Sequence, residues 1–308
     1  MHLSISRGGL EMKSGFVSIV GRPNVGKSTL LNNFLEAHLA ITSDKAGTTR
    51  NIIQGVYQDQ DSQIIFVDTP GIHKPINKLG NILNKKAYSS TDNVDLILFL
   101  IDVSTGFGKG DQFILDKIKE EEIPIILVLN KVDAIKKDKL LEKINEYKDL
   151  YDFADIYPIS ALKSDNIDSL LKTIKNYLPN EGKIFEDDTF TNISTSFYVS
   201  EIIREKVLRL TKEEVPHAVT CCVEKIEYAK DKVIINAVII VDRDSLKKII
   251  IGKNGSMLKK IGMSARLELE EYFGKTVYLE NFVKTIDNWR DRERYLKELG
   301  LDDLNDSN

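Results

Sequence analysis

A glycine-rich turn near the start of the chain has the composition of a phosphate-binding loop. It reads G-x-x-x-x-G-K-S from Gly21 to Ser28, after an apolar run at 16–20 and before a helical pattern that starts at Lys27. Glycines let backbone N–H groups close around a phosphate, and a helix N-terminus favours negative charge at the same place. Lys27 can reach the β- and γ-phosphates of a nucleotide, and the Ser28 hydroxyl can coordinate Mg²⁺. The predicted nucleotide contacts here are Gly21, Arg22, Pro23, Asn24, Val25, Gly26, Lys27, Ser28 and Thr29.

A second segment, Asp68–Gly71 (DTPG), directly follows the apolar run 64–67. The Asp68 carboxylate can hold Mg²⁺ through a water molecule. The Gly71 N–H can bond to a γ-phosphate, so this loop would sense whether that phosphate is present. The predicted nucleotide contacts of this loop are Asp68, Thr69, Pro70, Gly71 and Ile72.

The third and fourth segments indicate which base is bound. Asn130–Asp133 (NKVD) follows the apolar run 125–129, and Ser160–Lys163 (SALK) follows the run 156–159. The Asp133 carboxylate can accept hydrogen bonds from N1–H and from the exocyclic N2–H of guanine, which adenine lacks, so it selects GTP over ATP. Backbone N–H groups of the SALK segment can bond to guanine O6. The predicted contacts are Asn130, Lys131, Val132, Asp133, Ser160, Ala161 and Leu162.

A threonine pair lies between the first two segments, in the sequence AGTTR at 46–50. A threonine hydroxyl at this place can complete the Mg²⁺ shell when the γ-phosphate is bound. The residues alone leave Thr48 and Thr49 as alternatives.

These segments need a scaffold that brings them together. Apolar strand-like runs alternate with helical patterns from residue 16 to about 178, which predicts a mostly parallel sheet with helices on both faces. Residues 52–58 are predicted as an extra strand, antiparallel to 64–67. In such sheets, ligands bind at the carboxyl ends of the strands, where four of the segments lie.

Residues 12–178 resemble translation-factor-class GTPases. The sequence G-R-P-N-V-G-K-S around Asn24, the G-T-T-R segment and D-T-P-G-I-H-K-P at 68–75 are similar to those of the Era family. The resemblance implies binding of GTP and GDP with Mg²⁺, and hydrolysis of GTP in which Lys27, Thr49 and Asn24 take part. It also favours Thr49 over Thr48 as the Mg²⁺ ligand, beside Ser28 and the water-linked Asp68.

Ile72 stands where Ras-like GTPases have the glutamine that orients the attacking water, and it cannot do so. Relatives with a hydrophobic residue there often use K⁺ to stabilise transition-state charge. The match implies that Asn24, helped by the loop at 43–48, would ligate K⁺, which is a hypothesis from resemblance. We assign no protein general base.

The second half of the chain carries a different pattern. A helical stretch at 201–210 precedes two alternating runs, 218–228 and 233–241, that meet in a hairpin turn. A short helix, the loop Gly252–Gly255 (GKNG), a longer helix at 256–272 and a strand at 275–284 follow, and then a final helix at 287–299. Helix, G-x-x-G, helix is the KH arrangement, in which the loop backbone approaches a nucleic-acid backbone. Residues 249–251 are predicted either to line a groove for unstacked bases or to be core.

This half also resembles the C-terminal domain of the Era family, on EIIREK at 201–206, EVPH at 214–217, IIGKNGS at 250–256 and VKTIDNWRD at 283–291. The predicted order strand, strand, helix, helix, strand indicates the type II (bacterial-type) KH topology. The resemblance implies binding to the 3′ end of small-subunit (16S) ribosomal RNA and a role in maturation of the small (30S) subunit. Asn254 replaces a more usual glycine, and we expect a mild effect. The predicted RNA contacts are Ile251, Gly252, Lys253, Asn254, Gly255 and Ser256.

Composition bounds these hypotheses. The chain has 308 residues and a net charge of −4, yet residues 245–295 carry 11 Lys and Arg against 7 Asp and Glu. The sequence contains no apolar run long enough for a membrane span and no signal peptide. Its only cysteines, the neighbours Cys221 and Cys222, indicate buried thiols in a reducing compartment, so we expect a cytoplasmic protein. We also expect a monomer. The predicted organisation is an N-terminal extension (1–14), a GTPase domain (15–180), a linker (181–196), a KH domain (197–300) and a flexible tail (301–308).

Alternatives stay open. The chain could be an RNA-binding assembly scaffold whose nucleotide site barely turns over, or a GTPase on the inner face of the cell membrane that uses the segment 287–299. Trp289 could stack on bases, although a helix anchor is favoured. A metal site at His217, Cys221 and Cys222 is disfavoured. His73 is expected to be a solvated loop residue.

Overall fold

The first sheet of the protein has six strands and is mostly parallel. The computed structural model describes residues 12–45, 47–72 and 74–302. The strand order is β2-β3-β1-β4-β5-β6, and only β2 runs antiparallel to its neighbour, β3. The predicted sheet and the predicted extra strand at 52–58 are confirmed. The strands are β1 (Lys13–Gly21), β2 (Ile53–Gln58), β3 (Ser62–Asp68), β4 (Leu96–Asp102), β5 (Ile125–Asn130) and β6 (Asp155–Pro158).

Helices cover both faces of this sheet. Along β4, Leu96, Leu98 and Leu100 belong to one buried cluster, and Ile97, Phe99 and Ile101 belong to another. Because side chains alternate along a strand, such an unbroken apolar run needs helices on both sides. The helices are α1 (Lys27–Leu35), α2 (Lys78–Ser89), α3 (Lys109–Ile118), α4 (Lys137–Tyr147) and α5 (Ile167–Tyr177).

The second sheet has three strands, in the order β7-β8-β9. β7 pairs antiparallel with β8, and β8 pairs parallel with β9. Two helices and the GKNG loop connect β8 to β9. The order helix, strand, strand, helix, helix, strand is the predicted type II KH topology, which is confirmed. The elements are α6 (Thr195–Leu210), α7 (Val215–Ala218), β7 (Val219–Tyr228), β8 (Lys232–Val241), α8 (Asp244–Ile251), α9 (Ser256–Phe273), β9 (Thr276–Thr285) and α10 (Glu293–Glu298).

The segment between the two sheets lies along the exposed edge of the first. The Val56 N–H donates to the Phe190 carbonyl at 2.9 Å, and the Gln63 side-chain oxygen accepts from the N–H groups of Ile184 and Phe185. The Val56 bond covers part of the outer strand β2, whose edge would otherwise present unpaired backbone groups, and the Gln63 bonds tie the segment to the neighbouring strand β3.

Three elements differ from the predictions. α6 begins at Thr195, where the Ser194 hydroxyl accepts from the Phe197 N–H at 3.2 Å, so the helix extends into the predicted linker. α2 was not predicted, although the Asn77 cap, which accepts from the Gly80 N–H at 2.8 Å, is a readable start signal. The predicted helix at 287–299 is correct only in its second half: a 3₁₀ turn at Trp289–Asp291 comes first, and the α-helix is confined to α10.

Candidate functional site

The glycine-rich turn joins β1 to α1 as predicted. The Lys27 ammonium donates to the carbonyl oxygens of Gly21 and Arg22 at 3.1 and 3.0 Å, so it lies across the turn. Burial lowers the pKa of Lys27 to about 8, although the nearby Asp68 carboxylate acts to raise it. A Cβ on Gly26 would lie 2.2 Å from Asn130 Nδ2, and the φ of Gly26 is +103°, so the site requires glycine there.

Three oxygen-bearing side chains converge beside this lysine. The Ser28 hydroxyl donates to Asp68 Oδ2 at 2.7 Å and lies 2.8 Å from Thr49 Oγ1, which is 3.4 Å from the same carboxylate oxygen. The Thr48 hydroxyl instead donates to the Lys45 carbonyl at 2.6 Å. The tertiary structure therefore brings Thr49, and not Thr48, to Ser28 and Asp68.

The donor set fits Mg²⁺, which prefers oxygen ligands. Asp68 is fully buried, and burial raises its pKa against the opposing effects of Lys27 and of the two hydroxyl groups. Within the described part of the chain, the second oxygen of this carboxylate has no hydrogen-bond partner. A buried carboxylate with an unused acceptor can accept a hydrogen bond from a metal-bound water.

The segments predicted to bind the base are tied to the phosphate loop through Asn130. Its Nδ2 donates to the Val25 carbonyl at 2.7 Å, and its Oδ1 accepts from the N–H groups of Lys131 and Ala161 at 2.8 and 2.9 Å. The Ala161 N–H is therefore directed at Asn130, and the guanine O6 contact stays a prediction. Asp133 Oδ1 accepts from the Ser160 hydroxyl at 2.6 Å, which orients this carboxylate.

These segments surround a cavity of about 650 Å³. The predicted contacts that line it are Pro23, Asn24, Gly26, Lys27, Ser28, Thr29, Thr49, Gly71, Asn130, Lys131, Asp133, Ala161 and Leu162. The cavity is also lined by Ile41, Thr42 and Ala134, which are not among the predicted contacts. Ala134 could have been inferred from its place next to Asp133, whereas Ile41 and Thr42 carry no motif.

Other predicted contacts lie outside this lining: Gly21, Arg22, Val25, Asp68, Thr69, Pro70, Ile72, Val132 and Ser160. The Arg22 guanidinium points away from the cavity, donating to Asp111 Oδ1 of α3 at 2.8 Å, so the predicted contact of Arg22 with the nucleotide would have to come from its backbone. Ile72 is 4% exposed and packs in the core, where it cannot orient a water molecule.

The two segments named for the K⁺ hypothesis do meet. Asn24 Nδ2 donates to the Asp44 carbonyl at 2.7 Å. This contact places the Asn24 side-chain amide beside the Asp44 carbonyl. Both groups carry an oxygen atom, which is the kind of ligand that the K⁺ hypothesis needs. The role of K⁺ stays a prediction.

The GKNG loop has a left-handed backbone at three positions. The φ values are +72° at Gly252, +54° at Asn254 and +75° at Gly255. Asparagine tolerates this conformation better than other residues with a side chain. Asn254 therefore replaces the usual glycine at little cost.

A groove of about 390 Å³ starts at this loop and runs between α9 and β9. Its lining consists of Gly255, Leu258, Lys259, Gly262, Met263, Arg266, Leu279 and Asn281. Of the two alternatives for residues 249–251, the core is correct for Ile250, which is fully buried, and Ile249 and Ile251 lie outside the lining of this groove. The helical spacing of Leu258, Gly262 and Arg266 was the signal that could have identified it.

Burial decides the role of Trp289, and distances between side chains decide the metal-site hypothesis. Trp289 is fully buried and donates through Nε1 to the Ala218 carbonyl at 3.0 Å, so it is an anchor and cannot stack on bases. Across residues 12–45, 47–72 and 74–302, the side chains close enough to share a metal are His38, Glu205 and Glu268, and not His217 with the cysteines. His73 and Ala46 lie outside the described residues.

No helix in the described ranges is both long and apolar enough to cross a bilayer.

Comparisons with known proteins found matches to both halves of the chain. A family model described as "50S ribosome-binding GTPase" matches residues 16–131, and one described as "KH domain" matches residues 214–290. The chain is 44% identical to an Era variant from Aquifex aeolicus bound to GDP·AlF4⁻, with a TM-score of 0.91, over 94% of this chain and 99% of that chain. It is 43% identical to Era in complex with MgGDPNP and nucleotides 1506–1542 of 16S ribosomal RNA, with a TM-score of 0.92 and the same coverage. Because this identity extends over nearly the whole of both chains, the chain belongs to the Era family of GTPases.

Proposed function

We propose that this protein is a GTP-hydrolysing switch that binds the 3′ end of 16S ribosomal RNA and assists assembly of the small (30S) ribosomal subunit. One observation carries the proposal: the full-length similarity to a relative solved with a GTP analogue and that RNA segment. From such a partner we infer a cytoplasmic location, and we expect the protein to act as a monomer.

The nucleotide part of the proposal rests on the cavity beside the phosphate loop. Ser28 and Thr49 would hold Mg²⁺ directly, with Asp68 bound through a water molecule, since their oxygens are already within hydrogen-bonding distance of one another. When bound, Mg²⁺ neutralises charge on the phosphate oxygens. Lys27 would add a positive charge at the same phosphates, and Asp133 would select guanine because its carboxylate is oriented by Ser160.

The RNA part of the proposal rests on the groove between α9 and β9. Its lining includes three apolar side chains, Leu258, Met263 and Leu279, that suit unstacked bases. Lys259 and Arg266 at the same groove, and Lys253 in the adjacent loop, suit the phosphate backbone. The loop backbone at Gly252–Gly255 would contact the nucleic-acid backbone beside this groove.

Two binding measurements test the proposal. Wild-type protein should bind fluorescent GDP and GTP analogues but not ATP analogues, and should shift an RNA with the sequence of the 16S 3′ end but not its complement. Lys259→Glu should weaken RNA binding at least about tenfold, because it reverses a charge in the groove and the RNA backbone is anionic. The matched control is Lys139→Glu, the same charge reversal on exposed α4. Equal effects of the two variants would contradict the groove assignment.

A scaffold with a slow nucleotide site is the second candidate, because buried Ile72 leaves that position without a water-orienting side chain. The variant Lys27→Ala distinguishes the switch from the scaffold. If it binds RNA normally yet fails to support subunit assembly, the switch is needed; if assembly is normal, the scaffold is favoured. The membrane hypothesis lost its support, since Trp289 and Leu296 of the segment that suggested it are fully buried.

A further inference from the structure

The loop that carries Thr49 is bonded to the KH domain on both sides of that threonine. The carbonyl oxygen of Thr48 accepts a hydrogen bond from the Arg204 guanidinium, on α6. Arg50 Nη1 donates to the carbonyl oxygen of Val219, the first residue of β7, at 2.7 Å. A displacement of Thr49 must therefore strain or break at least one contact with the KH domain.

Arg204 is held so that it can make this contact. It is 1% exposed, and its Nε donates to Glu201 Oε1 at 2.7 Å. Its Nη2 donates both to the other Glu201 oxygen and to the Thr48 carbonyl. The planar guanidinium bonds to two partners at once, which a lysine ammonium cannot reproduce with the same geometry.

The next residue of α6 holds the start of the same loop. Glu205 is buried, and its Oε1 accepts from the Thr42 N–H at 2.9 Å. Adjacent residues of one KH-domain helix therefore contact the loop at Thr42 and at Thr48. The loop between them lines the nucleotide cavity.

The segment after Asp68–Gly71 reaches the same part of the KH domain. Leu79 and Leu83 of α2 pack in one buried cluster with Trp289. The Arg50 guanidinium lies over the Trp289 ring, 5.6 Å from its centroid. Both loops that flank the predicted γ-phosphate position are thus connected to one buried tryptophan.

We propose that Arg204 of the KH domain is a positioning residue for Thr49, so that docking of the KH domain completes the Mg²⁺ and γ-phosphate side of the nucleotide site. This inference rests on the proposed function. In the structure, Thr49 lies at Ser28 and Asp68 while the Arg204 and Arg50 contacts are formed. The KH domain therefore favours the loop arrangement that Mg·GTP needs, and Mg·GTP in turn favours this domain docking, since such coupling is reciprocal.

The test compares two nucleotides in Arg204→Lys, which keeps a positive charge beside Glu201 but loses the planar fork. We expect the affinity for the non-hydrolysable analogue GMPPNP with Mg²⁺ to fall at least about fivefold, a typical coupling, while GDP affinity changes by less than about twofold. The Mg²⁺ concentration that half-saturates the GMPPNP complex should rise. The matched control is Arg294→Lys, the same substitution at an exposed arginine whose ion pair, with Glu298 at 2.7 Å, lies within α10 and touches neither loop. It should bind both nucleotides as the wild type does.

Equal losses for GDP and GMPPNP, or no loss for either, would overturn the inference, because a merely structural role does not distinguish the γ-phosphate. If wild-type protein fails to bind guanine nucleotides, the proposed function itself is contradicted and the inference falls with it. If the wild type binds both nucleotides and only Arg204→Lys departs from the expected result, the inference is contradicted and the proposed function is not.

Hydrogen exchange of the wild-type protein gives a measurement that needs no variant. Amide exchange at residues 195–210 and at Val219 should slow when GDP is replaced by GMPPNP with Mg²⁺. Identical exchange in the two states would overturn the inference even if Arg204→Lys failed to fold.

Discussion

The side-chain amide of Asn130 joins the end of β5 to the phosphate loop by donating to the Val25 carbonyl at 2.7 Å. The same side chain accepts from the Ala161 N–H at 2.9 Å. Asn130 is only 2% exposed, so water cannot replace these bonds. One buried amide thus links the segment that is predicted to contact the phosphates with the segments that are predicted to contact the base.

Replacing the Asn130 side chain should lower both the stability of the protein and its affinity for GDP. We expect Asn130→Ala to lower the unfolding free energy by about 1–3 kcal/mol, because it leaves a buried carbonyl and a buried N–H unpaired. GDP affinity should fall at least about tenfold. Chemical denaturation and fluorescent-nucleotide titration measure the two effects. Asn145→Ala, on the exposed side of α4, should change neither; a stable, tightly binding Asn130→Ala would contradict the argument.

Gly26 meets the same side chain, and its replacement should be severe. A Cβ there would lie 2.2 Å from Asn130 Nδ2. We expect Gly26→Ala to abolish tight GDP binding and to destabilise the protein by more than the strain of a left-handed alanine, which is about 1–2 kcal/mol. Gly182→Ala is the control, because φ there is +80° and no atom lies within 4 Å of the added Cβ. Similar unfolding free energies in the two variants would show that the clash is relieved.

Asp133 should decide which base is bound. In Asp133→Asn the amide presents a donor to the N1–H and N2–H donors of guanine, so GTP affinity should fall at least about a hundredfold. Xanthosine triphosphate, with a carbonyl in place of the amino group, should bind better than GTP to this variant. Competition against a fluorescent nucleotide measures both. Asp138→Asn on α4 should keep the wild-type preference, and an unchanged preference in Asp133→Asn would rule out this carboxylate as the selector.

The ion hypothesis predicts a dependence of GTP hydrolysis on the monovalent cation. Hydrolysis should be faster in KCl than in NaCl at equal ionic strength, and Asn24→Ala should remove the difference. The reason is the contact of Asn24 with the Asp44 carbonyl, which places two oxygen-bearing groups beside the phosphate loop. Phosphate release under single-turnover conditions is the measurement. Equal rates of GTP hydrolysis by the wild type in the two salts would contradict the K⁺ hypothesis.

His38 connects the two domains and should make their stability depend on pH. Its ring nitrogens lie 3.3 Å from Glu205 Oε1 and 2.6 Å from Glu268 Oε1. Hydrogen bonds to these carboxylates raise the pKa of His38 from 6.5 to about 9, although burial opposes the shift. Lys206 and Arg209 face the same carboxylates and already compensate part of their charge.

Because this pKa is raised in the folded state, the stabilisation is complete below pH 6.5 and is lost as the pH rises through about 9. The His38 side chain is 35% exposed, so with solvent screening we expect only about 1 kcal/mol. The difference in unfolding free energy between wild type and His38→Gln should shrink by this amount from pH 6 to pH 9.5. An NMR titration of the imidazole measures the pKa itself. A His38 pKa near 6.5 would contradict the prediction.

The sequence by itself determined the chemistry of the loops and the order of the elements. The turn from Gly21 to Ser28, the alternating apolar runs and the GKNG loop all depend on residues that are close in the chain, where backbone preferences and side-chain period act directly. The family resemblance added a preference for Thr49, which local pattern could not supply.

The tertiary structure decided which side chains meet across the chain. The hydroxyl of Thr48 turns to Lys45 while that of Thr49 joins Ser28 and Asp68, and two adjacent threonines in one loop give no local signal of this difference. Trp289 is an anchor only because the two domains enclose it. Arg204 and Thr48 are 156 positions apart, and their hydrogen bond depends on how the domains pack. Such contacts cannot be predicted from local preferences. They are determined by packing between surfaces that are distant in the chain, and not by the backbone of either segment.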